Sequence, residues 1–311
     1  MQWQKYGLLY NAAEYKDAEW RANSALTPQP FQLDAETIRV FCGFRDQQGI
    51  SRIGFVDVAA NEPKKILRVS DRPVLDLGRD GCFDDNGLIM GDVVRTPDGV
   101  YLFYVGFQLV EKAKFMAFSG VAVSHDNCET FERLSESPIL DRAPEQAFIG
   151  AIHSAHYENG LWRLWFAQGN GWEIIDDIPY PQYHIRYVET SNLLDIPRLS
   201  SLCVDCEFPD YRIGRPKVYR LNDDTYLMIA TKGSIGGRYF PALFRSKDGV
   251  KWEETQESLG IDLSPSGWDS ETLCYPALIP GKEKTWMFYN GNRMGVDGFG
   301  LASSNDLFLA I

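Results

Sequence analysis

Five short polar segments recur just ahead of apolar runs in this chain. They are Thr27-Pro28-Gln29-Pro30, Phe83-Asp84-Asp85-Asn86-Gly87, Ala151-Ile152-His153-Ser154, Gly214-Arg215-Pro216-Lys217 and Trp268-Asp269-Ser270-Glu271. Asp84, Asp85, Asp269, Glu271 and His153 are of the types that donate and accept protons. Arg215 and Lys217 are of the types that hold anions. Burying such groups together costs free energy unless they pair, or meet water or a ligand. Matching polar residues at matching places therefore point to one site rather than to packing.

Aromatic and amide side chains add to this set. Trp172, Trp268, Tyr275 and Tyr289 present rings on which sugar C–H faces stack. Trp172 follows Gly169-Asn170-Gly171 and opens a long predicted loop running to Tyr183; loops carry function more often than scaffolds do. Asn290 and Asn292 either hydrogen-bond hydroxyls or cap a turn. His153 and His156 have an odd offset and fall on opposite faces of a strand, which makes them poor joint metal ligands. His153 is the one expected to reach the site.

These residues need a scaffold that brings distant segments together, and the sequence repeats accordingly. An aromatic, alternating run appears at Thr37 to Asp46, Gly99 to Phe107, Gly160 to Gly169, Asp224 to Gly233 and Lys284 to Asn292, with starts 62, 61, 64 and 60 residues apart. Alternation of large apolar residues marks strands with two distinct faces. Each run has an earlier partner: Leu26 to Phe31, Gly87 to Val94, Ala151 to Tyr157, Arg215 to Arg220 and Thr272 to Ile279. Each also has a later one: Ile50 to Val58, Phe118 to Ser124, His184 to Glu189, Ala242 to Ser246 and Gly298 to Ser303. Outer strands are expected near Lys65 to Val69, Phe131 to Leu134 and Trp252 to Thr255. Turns fall at Pro97-Asp98-Gly99, Glu158-Asn159-Gly160, Asn222-Asp223-Asp224 and Lys247-Asp248-Gly249. Gly233 to Arg238 reads as a flexible hairpin.

The pattern predicts an all-β fold: a single five-bladed β-propeller over 1–311, with four-stranded antiparallel blades. The fifth unit lacks an outer strand, and Trp3 to Tyr10 is left over. The N-terminal strand is therefore expected to complete the last blade and close the ring, because open sheet edges are a liability. A tandem of β-sandwiches is the alternative.

Composition narrows the function. Forty-three acidic against 31 basic residues leave a net charge of −12 in 311 residues. Nucleic acid and anionic membrane surfaces call for the opposite balance. No apolar run approaches the ~18 residues of a membrane span, and the N-terminus lacks a signal-peptide core, so a soluble, cytoplasmic protein is expected. Of six cysteines only Cys203 and Cys206 form a C-x-x-C pair, with no second pair to complete a zinc site. No metal or cofactor is expected.

The blade pattern resembles the five-bladed propeller glycosidases of families 43 and 32 and the mannoside phosphorylases of family 130. It is nearest to a set of propeller proteins associated with surface-polysaccharide biosynthesis. Phe83 to Gly87, Trp268 to Glu271 and Met287 to Asn292 carry the resemblance. It implies a carbohydrate or sugar-derived partner and two carboxyl groups across a glycosidic bond. On that basis Asp85 is the proton donor, Glu271 the partner base, and Asp84 a modulator or hydroxyl ligand. The hydrolases take acids from blades 1, 2 and 3, whereas this sequence has Gln29 and His153 at blades 1 and 3. Phe44 to Gly54 resembles the Arg-x-x-x-x-Gly-x-Ser-x-Ile hairpin of the phosphorylases, which adds Arg45 to the cations Arg215, Lys217 and His153. The resemblance implies hydrolysis, phosphorolysis or glycosyl transfer, and the alternative is a noncatalytic carbohydrate-binding or scaffold propeller. In the structural reading, Asp84 caps its turn, Glu271 pairs with Arg215, and Arg45 sits in a hairpin salt bridge.

Overall fold

Alternating apolar residues and turn signals produce twenty strands among the described residues. The computed structural model describes all residues except 16, 17, 145, 222, 223, 236–238, 308, 310 and 311. Asn222 and Asp223 of one predicted turn, and Gly236 to Arg238 of the predicted hairpin, lie outside the described residues. The first strand, β1 (Gln4–Asn11), stands apart from the meander that follows it: β2 (Asn23–Gln32), β3 (Thr37–Arg45), β4 (Ser51–Ala59) and β5 (Glu62–Val69). The second meander is β6 (Leu88–Thr96), β7 (Gly99–Gln108), β8 (Met116–Ser124) and β9 (Glu132–Arg133). The third is β10 (Ile149–Glu158), β11 (Leu161–Ile175), β12 (Ile178–Thr190) and β13 (Ser201–Val204). The fourth is β14 (Asp210–Arg220), β15 (Tyr226–Ser234), β16 (Tyr239–Ser246) and β17 (Glu253–Glu254). The last contains β18 (Cys274–Pro280), β19 (Thr285–Asn290) and β20 (Gly298–Ser304).

Within each meander the pairing is antiparallel. The second and third are joined by a two-residue parallel contact, Ile149 with Ala117 and Gly150 with Phe118. The last sheet is completed by β1, which pairs antiparallel with β20 from Gln4 opposite Ser303 to Asn11 opposite Gly298. The expected N-terminal strand is thus found on the open edge. The architecture is all-β, built of four-stranded antiparallel sheets, and consistent with a propeller-like fold.

The cores lie between consecutive sheets. Phe41 and Phe55 of the first meander pack with Leu102 and Tyr104 of the second. Phe103 and Val121 pack with Leu164 and Phe166, and Trp165 and Ile185 with Met228 and Phe244. Leu227 and Leu243 meet Met287 and Tyr289; Phe288, Phe299 and Tyr10 meet Val40 and Phe44, returning to the first meander. Both faces of each sheet are therefore buried, where a tandem sandwich would bury one. Each large apolar side chain so placed contributes on the order of 2 kcal/mol.

One expectation is corrected. The predicted loop from Trp172 to Tyr183 is mostly strand: β11 and β12 extend as a ladder to Ile175 opposite Ile178, turning at Asp176-Asp177 with positive φ of 50° and 61°. Alternating Ile, Tyr and Trp residues supply the β preference there. The third sheet has its outer strand at β13, Ser201-Leu202-Cys203-Val204, which completes the four strands expected of it.

One irregularity recurs in the innermost strands. The register slips between Leu26 and Gln29, Met90 and Asp92, Ile152 and Ser154, Gly214 and Lys217, and Cys274 and Ala277. Thr27, Arg215 and Tyr275 sit at three of these bulges with φ of 55°, 53° and 56°, each preceding a proline. Proline cannot donate to the ladder, so in an inner strand it forces a bulge. Gly91 takes the equivalent place in β6, where a Cβ would lie 2.4 Å from the Ile152 carbonyl oxygen.

Candidate active site

The bulges re-aim side chains into one cavity of about 950 Å³. Thr27, His153, Arg215 and Tyr275, one from each of four inner strands, line it. Arg45 enters from the end of β3, Asn86 from the turn before β6, Arg212 from β14, and Glu271 from the segment before β18. Non-glycine residues held at positive φ cost about 1–3 kcal/mol each and persist only where surrounding structure imposes them.

Cations dominate this lining. Arg45, Lys114, Arg212, Arg215 and Arg293 face it, against the carboxylates Asp176 and Glu271. Among the described residues, Arg45, Arg212 and Arg215 have no carboxylate within ion-pair distance, in contrast to Arg39, Arg52 and Arg133 elsewhere. Arg45 Nε, Arg212 Nε, Arg215 Nη1 and His153 Nδ1 are buried with no hydrogen-bond partner. Arg215 donates through Nη2 to the Met90 carbonyl at 2.9 Å and lies 4.9 Å from the Tyr275 ring centre. Burial lowers its pKa to about 10, and burial lowers that of Arg45 as well. His153 is held well below the usual histidine value, first by burial and then by Arg215 and Lys217, so it is neutral at pH 7.

Glu271 is exposed on the rim and makes no ion pair among the described residues. Its backbone N–H donates to Asn292 Oδ1 at 2.8 Å, which fixes its place before β18. The predicted Glu271–Arg215 pair is not formed, and neither is a salt bridge at Arg45.

The other predicted acids lie outside the lining. Asp84 is fully buried: its Oδ2 accepts from Tyr104 Oη at 3.1 Å and from Arg133 Nε at 2.8 Å. Asp269 repeats this, accepting from Tyr289 Oη at 3.1 Å and Lys5 Nζ at 2.7 Å. Asp85 caps its own turn, accepting from the Gly81 N–H at 2.9 Å. Asn290 is also fully engaged. Its Oδ1 accepts from the Thr27 N–H at 2.7 Å, and its amide donates to the Ala25 and Gly298 carbonyls, both at 2.8 Å. It clamps the last sheet to the first and, fully buried, does not reach the cavity.

Lys217 points away from the large cavity, into a second one of about 370 Å³ that Gln29 and Asp92 also line. Its Nζ donates to the Gly91 carbonyl at 2.6 Å and lies 3.3 Å from Asp92 Oδ1. Burial brings it down to about 8 despite Asp92. Two positions past the Arg215 bulge, it faces the opposite side of that bulge. His156 also lines this second cavity, packed on Trp165 with ring centres 5.0 Å apart.

The predicted aromatic residues divide likewise. Trp268 packs into its sheet at 5.1 Å from the Tyr289 ring. Trp172 stacks on Phe148 at 5.3 Å and meets Phe115 edge-on, so it backs the cavity wall that Phe115 and Phe107 form. Sequence reasoning missed Arg212, which is buried against the rings of Tyr239, Tyr211, Tyr180 and Tyr183 at 4.6, 4.8, 5.7 and 5.8 Å. It also missed Thr27, although the Thr27-Pro28, Arg215-Pro216 and Tyr275-Pro276 pairs marked the bulge positions.

Solved structures share the fold. A thermostable family-43 glycoside hydrolase matches 93% of this chain and 93% of its own, with TM-score 0.67 and 10% identity. A structure from work on the mannoside phosphorylase family GH130, described as containing glycoside hydrolases that target β-1,2 mannosidic linkages in Candida mannan, matches 92% of this chain and 86% of its own, with TM-score 0.65 and 14% identity. These likenesses show a shared fold. By sequence the chain belongs to the family of the Mycobacterium tuberculosis protein named Uncharacterized protein Rv1502, to which it is 30% identical over 304 residues, 97% of this chain and 99% of that one. No protein-family model matches the chain.

Proposed function

We propose that this chain is a single five-bladed propeller domain that acts on a glycan in the large cavity, with Glu271 as its proton-transferring carboxylate. Glu271 carries the reading: it is a rim carboxylate without an ion-pair partner among the described residues, beside a cavity of sugar-binding size lined by tyrosines. The cyclic order of inter-sheet cores supports five blades. Asp85 remains the proposed second carboxylate; its turn leads directly to the lining residue Asn86. Glycoside hydrolysis, phosphorolysis and transfer all use this pair of roles.

A noncatalytic glycan-binding propeller is the second reading, favoured because Asp84 and Asp85 are both engaged in local structure. Screening purified protein against glycan and nitrophenyl-glycoside panels, alongside Glu271→Gln and Asp85→Asn, separates the two. Turnover in the parent and its loss of at least a hundredfold in Glu271→Gln supports the enzyme. Undiminished turnover in that variant, or glycan binding without turnover in the parent, overturns the assignment.

A further inference from the structure

We propose that the floor of the large cavity is an oxyanion subsite in which Arg45, Arg212 and Arg215 grip a carboxylate or phosphate carried by the sugar itself. This rests on the glycan reading above and narrows it to acidic saccharides.

Two guanidinium groups elsewhere in this acidic chain are neutralised: the buried Arg39 by Asp57 at 2.7 Å and the half-buried Arg133 by Asp84 at 2.8 Å. The three cavity arginines are not, and each keeps a buried nitrogen without a partner. An unpaired buried charge is expensive, and a bound anion removes that cost. Guanidinium forks match planar carboxylates and phosphate oxygens in paired hydrogen bonds. Three further features fit this use. The Arg215 bulge holds its side chain in place through a positive φ ahead of Pro216, and the Met90 carbonyl and Tyr275 ring fix its far end. His153 is neutral and offers Nδ1 as a hydrogen-bonding partner without competing for the anion. The tyrosines around Arg212 supply stacking faces beside the charge, where the ring of the same sugar would lie.

The test is calorimetric titration with D-glucuronate, D-glucose 6-phosphate, inorganic phosphate and D-glucose. The parent protein is compared with Arg45→Met, Arg212→Met and Arg215→Met, after thermal melts establish which variants are folded. Arg45 stands at a strand end, so Arg45→Met carries the test if the Arg215 bulge does not tolerate substitution. Acidic sugars are expected to bind at least tenfold more tightly than D-glucose, with each substitution removing most of that preference. Raising salt should weaken acidic-sugar binding alone. Equal binding of neutral and acidic sugars, or variants that keep the preference, overturns the proposal. So does tight binding of inorganic phosphate with no preference for acidic sugars, which assigns the arginines to a separate phosphate co-substrate. Arginine-dependent binding without any Glu271-dependent turnover leaves this subsite standing and removes the enzymatic reading instead.

Discussion

Asp84 and Asp269 are the same structural element in two different sheets. Each follows an aromatic residue, accepts from a tyrosine twenty positions later, and meets a cation from the outermost strand of its sheet, Arg133 on β9 or Lys5 on β1. The preceding aromatic ring lies over that tyrosine, Phe83 on Tyr104 at 5.9 Å and Trp268 on Tyr289 at 5.1 Å. The carboxylate thus ties the inner turn, the second strand and the outer strand of one sheet together.

Removing either carboxylate should therefore unfold rather than inactivate. Asp84→Ala and Asp269→Ala strand a buried tyrosine hydroxyl and a cation, and should each cost about 3 kcal/mol. Tyr104→Phe should cost about 1 kcal/mol. Urea unfolding reads both. A stable Asp84→Ala protein that no longer binds its ligand would return this residue to the site.

Asn290→Ala should lower stability by about 2–3 kcal/mol, because the Thr27 N–H and the Ala25 and Gly298 carbonyls lose their partner inside the protein. Ligand affinity at fixed folded fraction should change little. A large affinity change with unaltered denaturation midpoint would contradict the clamp.

Stability should fall on the alkaline side. Burial raises the thiols of Cys128 and Cys206 to about 11 and those of Cys203 and Cys274 to about 12. The folded state then holds protons that the unfolded state releases above its ordinary thiol pKa near 9, so stability is complete below pH 9 and is lost as pH rises toward 11–12. On the acid side the lowered pKa of His153 works in the opposite sense. The unfolded chain binds a proton below pH ~6.5 that the folded chain refuses. Melting temperatures at pH 5.5, 7.5 and 10.5 should peak in the middle. Cys274→Ala should flatten the alkaline limb and His153→Gln the acid one; unchanged limbs would disprove these assignments.

Deleting residues 1–11 should leave β20 with an unpaired edge and strip the cation from Asp269. The shortened chain should self-associate in size-exclusion chromatography and melt well below the parent. A monomer of parental stability would show that β1 is dispensable.

The fold was legible because the repeat fixed the number and order of the strand runs, and because one run, Trp3 to Tyr10, had no partner among its neighbours. The site was legible in part. Arg215, His153 and Tyr275 lay in or beside the inner-strand starts, and bulges turn all three into the cavity. Asp84, Asp269 and Asn290 read as site residues because a polar side chain beside an inner strand looks the same whether it faces ligand or a buried tyrosine. The discriminating signal was the tyrosine twenty residues downstream, visible only when two units are laid over each other. Arg212 was missed because three positions before a bulge carries no distinctive pattern, and its tyrosine surroundings come from three separate stretches of chain.

The pairing of β1 with β20 also sets the order of assembly. Tyr6 and Ser303 hydrogen-bond across 297 residues of sequence. β1 is thus made before the other described strands and waits for all of them before its partner exists. Such long-range closure is slow because the entropy of joining the ends is spent before the contacts repay it. The fold should therefore accumulate a late, nearly complete intermediate whose final step is docking of β1 on β20, and it should depend most on chaperones at that stage.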